Sequence, residues 1–339
     1  MDPTWLHWTG FSAFVAVMLV LDLGVFHRKA HEPTLRESAV WTLIWCGLAL
    51  AFNGFVWHQF GNHAGVEFLT GYLVEWSLSM DNVFVIAVIF KFFSVPLKEQ
   101  YRVLFWGILG AVAMRLTFVL AGAALLQRFE WLTWIFGGIL VYTGIKLAIH
   151  SNEEMHPDKN IILRLAKRYF PVTQGTHGEK FFVVENGRRC ITPLFLVLLV
   201  IESTDVLFAV DSVPAIFSVV SRGPYFTFVV FTSNVFAILG LRALYFLLAG
   251  VMDMFRYLHY GLSAVLTFVG AKMIAESWFE WHFFKDDPAA TLGAIAAMLG
   301  VAIGASLLAE RKEEAQQEKA EAEDKAAASE TQPPEEERQ

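Results

Sequence analysis

The sequence predicts an all-α polytopic membrane protein of about nine transmembrane helices, with two inverted three-helix repeats at its centre. Three observations lead there. The 339 residues are 55% hydrophobic and 17% charged, against about 25% charged in a soluble domain. Apolar stretches of about 20 residues, the length that crosses the hydrocarbon core, recur along the chain. Two of those stretches carry acidic residues in matching positions. The net charge of −7 does not alter the class, because residues 310–339 alone contribute −6. A soluble globular domain, a disordered chain and a nucleic-acid binder are excluded. Cys46 and Cys190 make neither a disulfide framework nor a Cys-x-x-Cys site.

The spans read, in order, 5–26, 39–58, 67–92, 103–126, 130–149, 191–218, 225–250, 257–277 and 288–309. The longer ones call for tilt or a break. Loop cations give the orientation. The first loop holds Arg28, Lys29 and Arg36, and the second holds none; the third holds Lys91, Lys98 and Arg102, and the fourth only Arg128. The fifth, 150–190, holds seven Lys and Arg residues. This alternation sets the N-terminus outside and the C-terminus inside. No basic residue precedes the first span, so it reads as an uncleaved helix.

The domain plan follows. Residues 1–66 hold two N-terminal spans, 67–149 the first repeat, 150–190 a cytoplasmic loop, 191–277 the second repeat, 278–310 the last span and 311–339 an acidic disordered cytoplasmic tail that begins as a solvated helix end. In the loop, residues 161–168 read as a short basic amphipathic helix at the inner membrane surface. Phe181-Phe182-Val183-Val184 followed by Asn186-Gly187 reads as a hairpin. The repeat rests on matched residues. Gly144-Ile145-Lys146 answers Gly270-Ala271-Lys272, Arg115 answers Arg242, and Glu75 with Asp81-Asn82 answers Asp205 with Asp211-Ser212. Each unit has three spans, so the second is upside down relative to the first. Such repeats are a transporter architecture with the site near the midplane. The plainer alternative is resemblance by apolar composition alone.

Glu75, Asp81, Glu202, Asp205 and Asp211 all fall inside spans. A carboxylate at the centre of a membrane helix costs about 2.5–3.5 kcal/mol, so the five must face one another, a cation or water. At about 100° per residue, Glu75, Ser79 and Asn82 share a helix face, as do Glu202, Asp205 and Ser212. Asp81 and Asp211 lie about 100° away from those faces. They join the site if the helices unwind locally or if they face another span. Pro214 supplies a means of unwinding in the sixth span, because it removes the hydrogen bond to Val210; a break at Asp81-Asn82 follows by symmetry. Arg115 and Arg242 are counter-charges, and Asn234 either lines the cavity or bonds across helices. All the ligands offered are oxygens, which suit Mg, Ca or Mn rather than Zn or Cu. Met80 offers a soft sulfur, though packing is its more usual role. The alternative reading of the cluster is Arg-paired carboxyls that hold helices together. Lys146 and Lys272 read as snorkelling near span ends, Asp22 as interfacial, and His150, His156 and His177 as too scattered for a metal motif.

The segments from Glu75-Trp76-Ser77 to Val85, from Asp205 to Ile216 and from Thr232-Ser233-Asn234 to Leu248 resemble the TerC family of bacterial integral membrane proteins, in particular its Alx-like branch. The resemblance runs from about residue 5 to 305. It implies a nine-span inner-membrane protein of metal homeostasis, in a family named for tellurium resistance. The branch implies a manganese exporter induced at alkaline pH and high manganese, once labelled a redox modulator. Its acidic motif falls here on Glu75, Asp81, Asn82, Glu202, Asp205, Asp211 and Ser212. Many relatives carry Lys where Trp76 stands, which leaves this site more acidic. The expectation is a non-enzymatic exporter of Mn2+ with no tightly bound cofactor. Its partners would be the lipid bilayer, a divalent metal ion and protons that carboxylates exchange for it. A second reading is a protein that delivers metal to, or docks, exported proteins through the cytoplasmic loop. A redox protein ranks last, since no flavin, nicotinamide or haem motif is present.

Overall fold

A computed structural model describes residues 3–24, 34–129, 131–149, 160–173, 178, 180–185, 187–249, 257–278 and 288–330. The helices are α1 (Trp5–Gly24), α2 (Leu35–Phe60), α3 (Asn62–Phe92), α4 (Leu97–Arg128), α5 (Leu132–Ile149), α6 (Ile161–Tyr169), α7 (Pro193–Val219), α8 (Phe226–Leu239), α9 (Leu241–Ala249), α10 (Leu258–Trp278) and α11 (Pro288–Glu330). One antiparallel hairpin, β1 (Phe182–Glu185) with β2 (Arg188–Ile191), pairs Glu185 with Arg188 across its turn. The chain is thus an all-α polytopic membrane protein apart from this small ribbon. Among the described residues seven helices are long and apolar enough to cross a membrane, and an eighth span is made if α8 and α9, bent by 41°, are counted as one. The apolar part of α1, Trp5–Val20, is shorter.

Local chemistry fixes several helix starts. Thr34 caps α2 by accepting from Glu37 N at 3.2 Å, the Thr-x-x-Glu arrangement of a capping box. Thr192 caps α7, and Pro193 follows at the first helical position, where its missing N–H is no loss. Asn160 caps α6 through Ile162 N and Leu163 N.

Two sequence expectations are corrected. Helix α7 runs unbroken through Pro214, and α3 runs unbroken through Asp81-Asn82. Residues 212–219 of α7 are buried, and their packing outweighs the single backbone bond that Pro214 removes. The discontinuity falls instead at Gly240, between α8 and α9. Helix α11 continues through residues 311–330, where the sequence calls for a solvated helix end. That stretch is mostly Ala, Glu, Lys and Gln, all strong helix formers. His150, His156, His177, Arg28, Lys29 and the side chain of Asp22 lie outside the described residues.

The packing of the central helices is reciprocal. Helix α3 lies against α8 and α4 against α7; α3 meets α7, and α5 crosses α10. The α5–α10 crossing is close because glycines line it. Gly137 faces the Gly270 carbonyl, and Ser263 Oγ donates to Gly144 O at 2.6 Å. A cluster of rings ties α1 and α2 to this centre: Phe52 lies 4.9 Å from Phe236 and 5.7 Å from Phe68, with Phe11 5.4 Å from Phe52.

Candidate functional site

Glu75 lies near the middle of α3, and Arg115 lies within α4. Both are almost wholly buried, at 0% and 1% exposure. Arg115 Nη1 donates to Glu75 Oε1 at 2.5 Å and to Asn234 Oδ1 at 3.2 Å. Asn234 Nδ2, from α8, donates to Glu75 Oε2 at 3.2 Å. Arg115 Nη2 stands 3.7 Å from Asp205 Oδ1 on α7. Four helices therefore meet on one guanidinium. The fit is incomplete: Arg115 Nε and Asp205 Oδ2 are buried without a hydrogen-bond partner. Asn234 bonds across helices here, one of the two roles its sequence context offers.

A second group stands about 9 Å further along the α3 axis, by the helical rise from Glu75 to Asp81. Asp81, Asn82, Asp211 and Ser212 line a cavity of about 90 Å³ with Thr143 of α5. Thr143 Oγ1 donates to Asp211 Oδ1 at 3.1 Å, and Ser212 Oγ is buried without a partner. Asp81 and Asp211 thus reach one cavity with both helices intact. Each faces α5 and α10, the second of the two routes open to them. Leu262 and Leu266 of α10 complete the wall.

The seven sequence-derived ligands do not converge into one shell. Among the described residues no group of three or more His, Cys, Asp or Glu could hold a metal ion. Glu75 and Asp205 share Arg115, while Asp81, Asn82, Asp211 and Ser212 share the cavity. Glu202 is half-buried, with its carboxylate so close to Gly110 that a Cβ there would collide with it. Arg242 lies over the Tyr101 ring, its guanidinium carbon 4.4 Å from the centroid; the cation seated among the acids is Arg115. Met80 packs in the hydrophobic core.

Sequence reasoning missed Thr143 and a further polar cluster at the start of α3. Glu67 is 1% exposed, accepts from Ser221 N at 2.8 Å and meets His63 Nδ1 at 3.2 Å. Tyr225 OH lies 3.3 Å from the same His63 nitrogen, and Arg222 Nη2 donates to Thr133 Oγ1 at 2.8 Å. Burial and the nearby Glu67 carboxylate push the Tyr225 phenol up to about 12. Lys272 does not snorkel: it is buried, donates to Ser218 O at 2.8 Å and pairs with Glu276 at 3.3 Å. Glu67, Thr133, Arg222, Lys272 and Glu276 line a cavity of about 230 Å³. The signal was in the sequence, since Glu67, Gly71 and Glu75 are spaced four apart on one face of α3.

The family model for the integral membrane protein TerC family matches residues 60–314. A Myxococcus xanthus membrane protein designated STKORF319 is 51% identical over 304 residues, covering 90% of this chain and 92% of that protein. A putative membrane-bound redox modulator, Alx, of Escherichia coli K12 is 44% identical over 285 residues, covering 81% and 87%. A membrane protein of Rickettsia bellii is 36% identical over 303 residues, covering 89% and 97%. No solved structure matches.

Proposed function

We propose, from the premise that this chain belongs to the TerC family of integral membrane proteins, that it exports a divalent metal cation, foremost Mn2+, through a midplane carboxylate site. The observation that carries the reading is the shared cavity of Asp81 and Asp211. These are matching positions of the two half-sequences, on helices that meet in the centre of the bundle. Two carboxylates balance the charge of one divalent ion. Asn82, Thr143 and Ser212 add neutral oxygens, a donor set suited to Mn2+, Mg2+ or Ca2+.

Arg115 gives this reading a mechanism. It is a tethered cation that neutralises Glu75 and Asp205 when no metal is present. Its buried Nε and the spare Asp205 oxygen leave room for partners to exchange. A metal leaving the Asp81–Asp211 cavity would compete with Arg115 for Glu75 and Asp205. Glu202 would complete the path or relay a proton, and carboxylates that bind metal release H+, which allows proton coupling.

Several features support an inverted repeat. With an offset of 126 residues, the Gly137–Gly270 contact corresponds to the Ser263–Gly144 contact, as a two-fold axis requires. The pairings of α3 with α8 and of α4 with α7 have the same reciprocity. Counting α1 and the bent α8–α9 pair with the seven long helices gives nine spans, N-terminus outside and C-terminus inside by the loop cations. Rocking of one unit against the other would then expose the site to each side in turn.

The test is manganese efflux from Mn2+-loaded right-side-out vesicles across a pH gradient, wild type against Asp211→Asn. The reading expects efflux that the substitution abolishes at equal protein level. Equal efflux in both proteins would remove the Asp211 site, and none in correctly inserted wild type would remove export itself.

A further inference from the structure

Helix α6 divides into three arcs when its residues are set 100° apart. Leu163 and Ala166 are buried on the arc that packs against α7. Ile161, Ile162, Leu165 and Tyr169 occupy a second arc, and all four are exposed, Ile161 and Tyr169 at 71% each. Arg164, Lys167 and Arg168 occupy the third and are exposed as well. An apolar arc and a basic arc thus lie side by side, both uncovered, the two surfaces that an amphipathic helix offers to lipid.

The anchoring of α6 gives its direction. Asn160 Nδ2 at its start donates to Ser203 Oγ at 2.8 Å, within α7. Beyond its end, Ile191 N donates to Pro171 O at 3.0 Å, just before α7 begins. The helix therefore runs antiparallel beside the first turns of α7 rather than flat on a surface. Its Asn160 end lies about 15 Å along α7 from Pro193 by the helical rise. The apolar residues Ile161 and Ile162 sit at the deeper end, and Lys167 and Arg168 at the shallower end. That gradient matches acyl chains below and headgroups above.

We propose that α6 is an anionic-phospholipid site: the headgroup phosphate lies on Arg164, Lys167 and Arg168, and the acyl chains lie against Ile161, Leu165 and Tyr169. The occupant follows from charge complementarity and from continuity with the lipid-facing surface of α7, where Leu207 and Val210 are 67% and 42% exposed. A bound lipid would hold Asn160 on Ser203, beside Glu202. The inference does not depend on what the protein transports.

The experiment is hydrogen–deuterium exchange of the full chain in nanodiscs of phosphatidylcholine alone and of phosphatidylcholine mixed with phosphatidylglycerol. Exchange at residues 161–169 is expected to slow about a hundredfold with the anionic lipid, as three basic residues near a charged surface allow. The slowing should vanish in Arg164→Gln/Lys167→Gln/Arg168→Gln, while α5 and α10 keep their protection. Equal exchange of wild type in the two lipids overturns the proposal whether or not the variant folds. So does a lipid effect that survives the triple substitution.

Discussion

Arg115 of α4 reaches Glu75 of α3 at 2.5 Å, with 1% and 0% of the two residues exposed. Removing one member of a buried pair leaves the other charge uncompensated and costs about 3–5 kcal/mol. Arg115→Met is therefore expected to destabilise the protein strongly in detergent. Adding Glu75→Gln should restore part of the loss, because the orphaned carboxylate is then gone. Unfolding midpoints of the two single variants and the double variant check this. Additive losses would show that the pair is not coupled.

Thr143 is the ligand candidate that the span-by-span reading passed over. Its hydroxyl bonds Asp211 at 3.1 Å. Thr143→Val removes an oxygen while keeping the volume, and a hydrogen bond to a charged group is worth about 1.5–3 kcal/mol. Metal affinity is expected to fall about tenfold or more, with Thr143→Ser close to wild type. Isothermal titration with Mn2+ reads both. Valine that binds as well as threonine would take Thr143 out of the site.

What the sequence made legible was local. The apolar runs marked the spans, Phe182-Val183-Val184 marked the ribbon, and the charges inside the spans marked Glu75 and its counter-charge Arg115. The hidden parts depended on neighbours. Pro214 is a helix breaker by local rules, yet buried packing on α7 keeps the helix intact. Gly240 gave no comparable local signal, and the bend is there. Lys146 and Lys272 each follow a glycine by two residues; one is exposed and the other buried on Ser218 O. No pattern along one helix separates them, because the difference lies in what packs opposite.

The α5–α10 crossing carries its own control. A Cβ at Gly270 would stand 2.8 Å from both Gly137 O and Leu140 Cβ, whereas one at Gly138 would meet nothing within 4 Å. Overpacking of a tight contact costs about 1–3 kcal/mol. Gly270→Ala is expected to lower the unfolding midpoint, and Gly138→Ala to leave it level or raise it slightly through helix propensity. The same shift in both variants would mean that the crossing is not closely packed.

The connector between α7 and α8 is held to α3 by Glu67 on Ser221 N and by the contact of Tyr225 with His63. Its pH response follows from Tyr225, whose phenol is pushed up to about 12 by burial and by Glu67. The neutral phenol is the form that the folded state favours. Its stabilisation is complete below the ordinary tyrosine value of about 10 and is lost as pH rises through about 12. The tie should therefore survive alkaline conditions that ionise exposed tyrosines. A difference titration of wild type against Tyr225→Phe, followed by phenolate absorbance, is expected to show one ionisation near pH 12. Glu67→Gln removes the charge that opposes ionisation and should move that step down. It should also loosen the Ser221 contact, so that Ser221→Cys in a background lacking Cys46 and Cys190 reacts faster with a membrane-impermeant thiol reagent. An unmoved ionisation and an unchanged labelling rate would together show that Glu67 does not hold the connector.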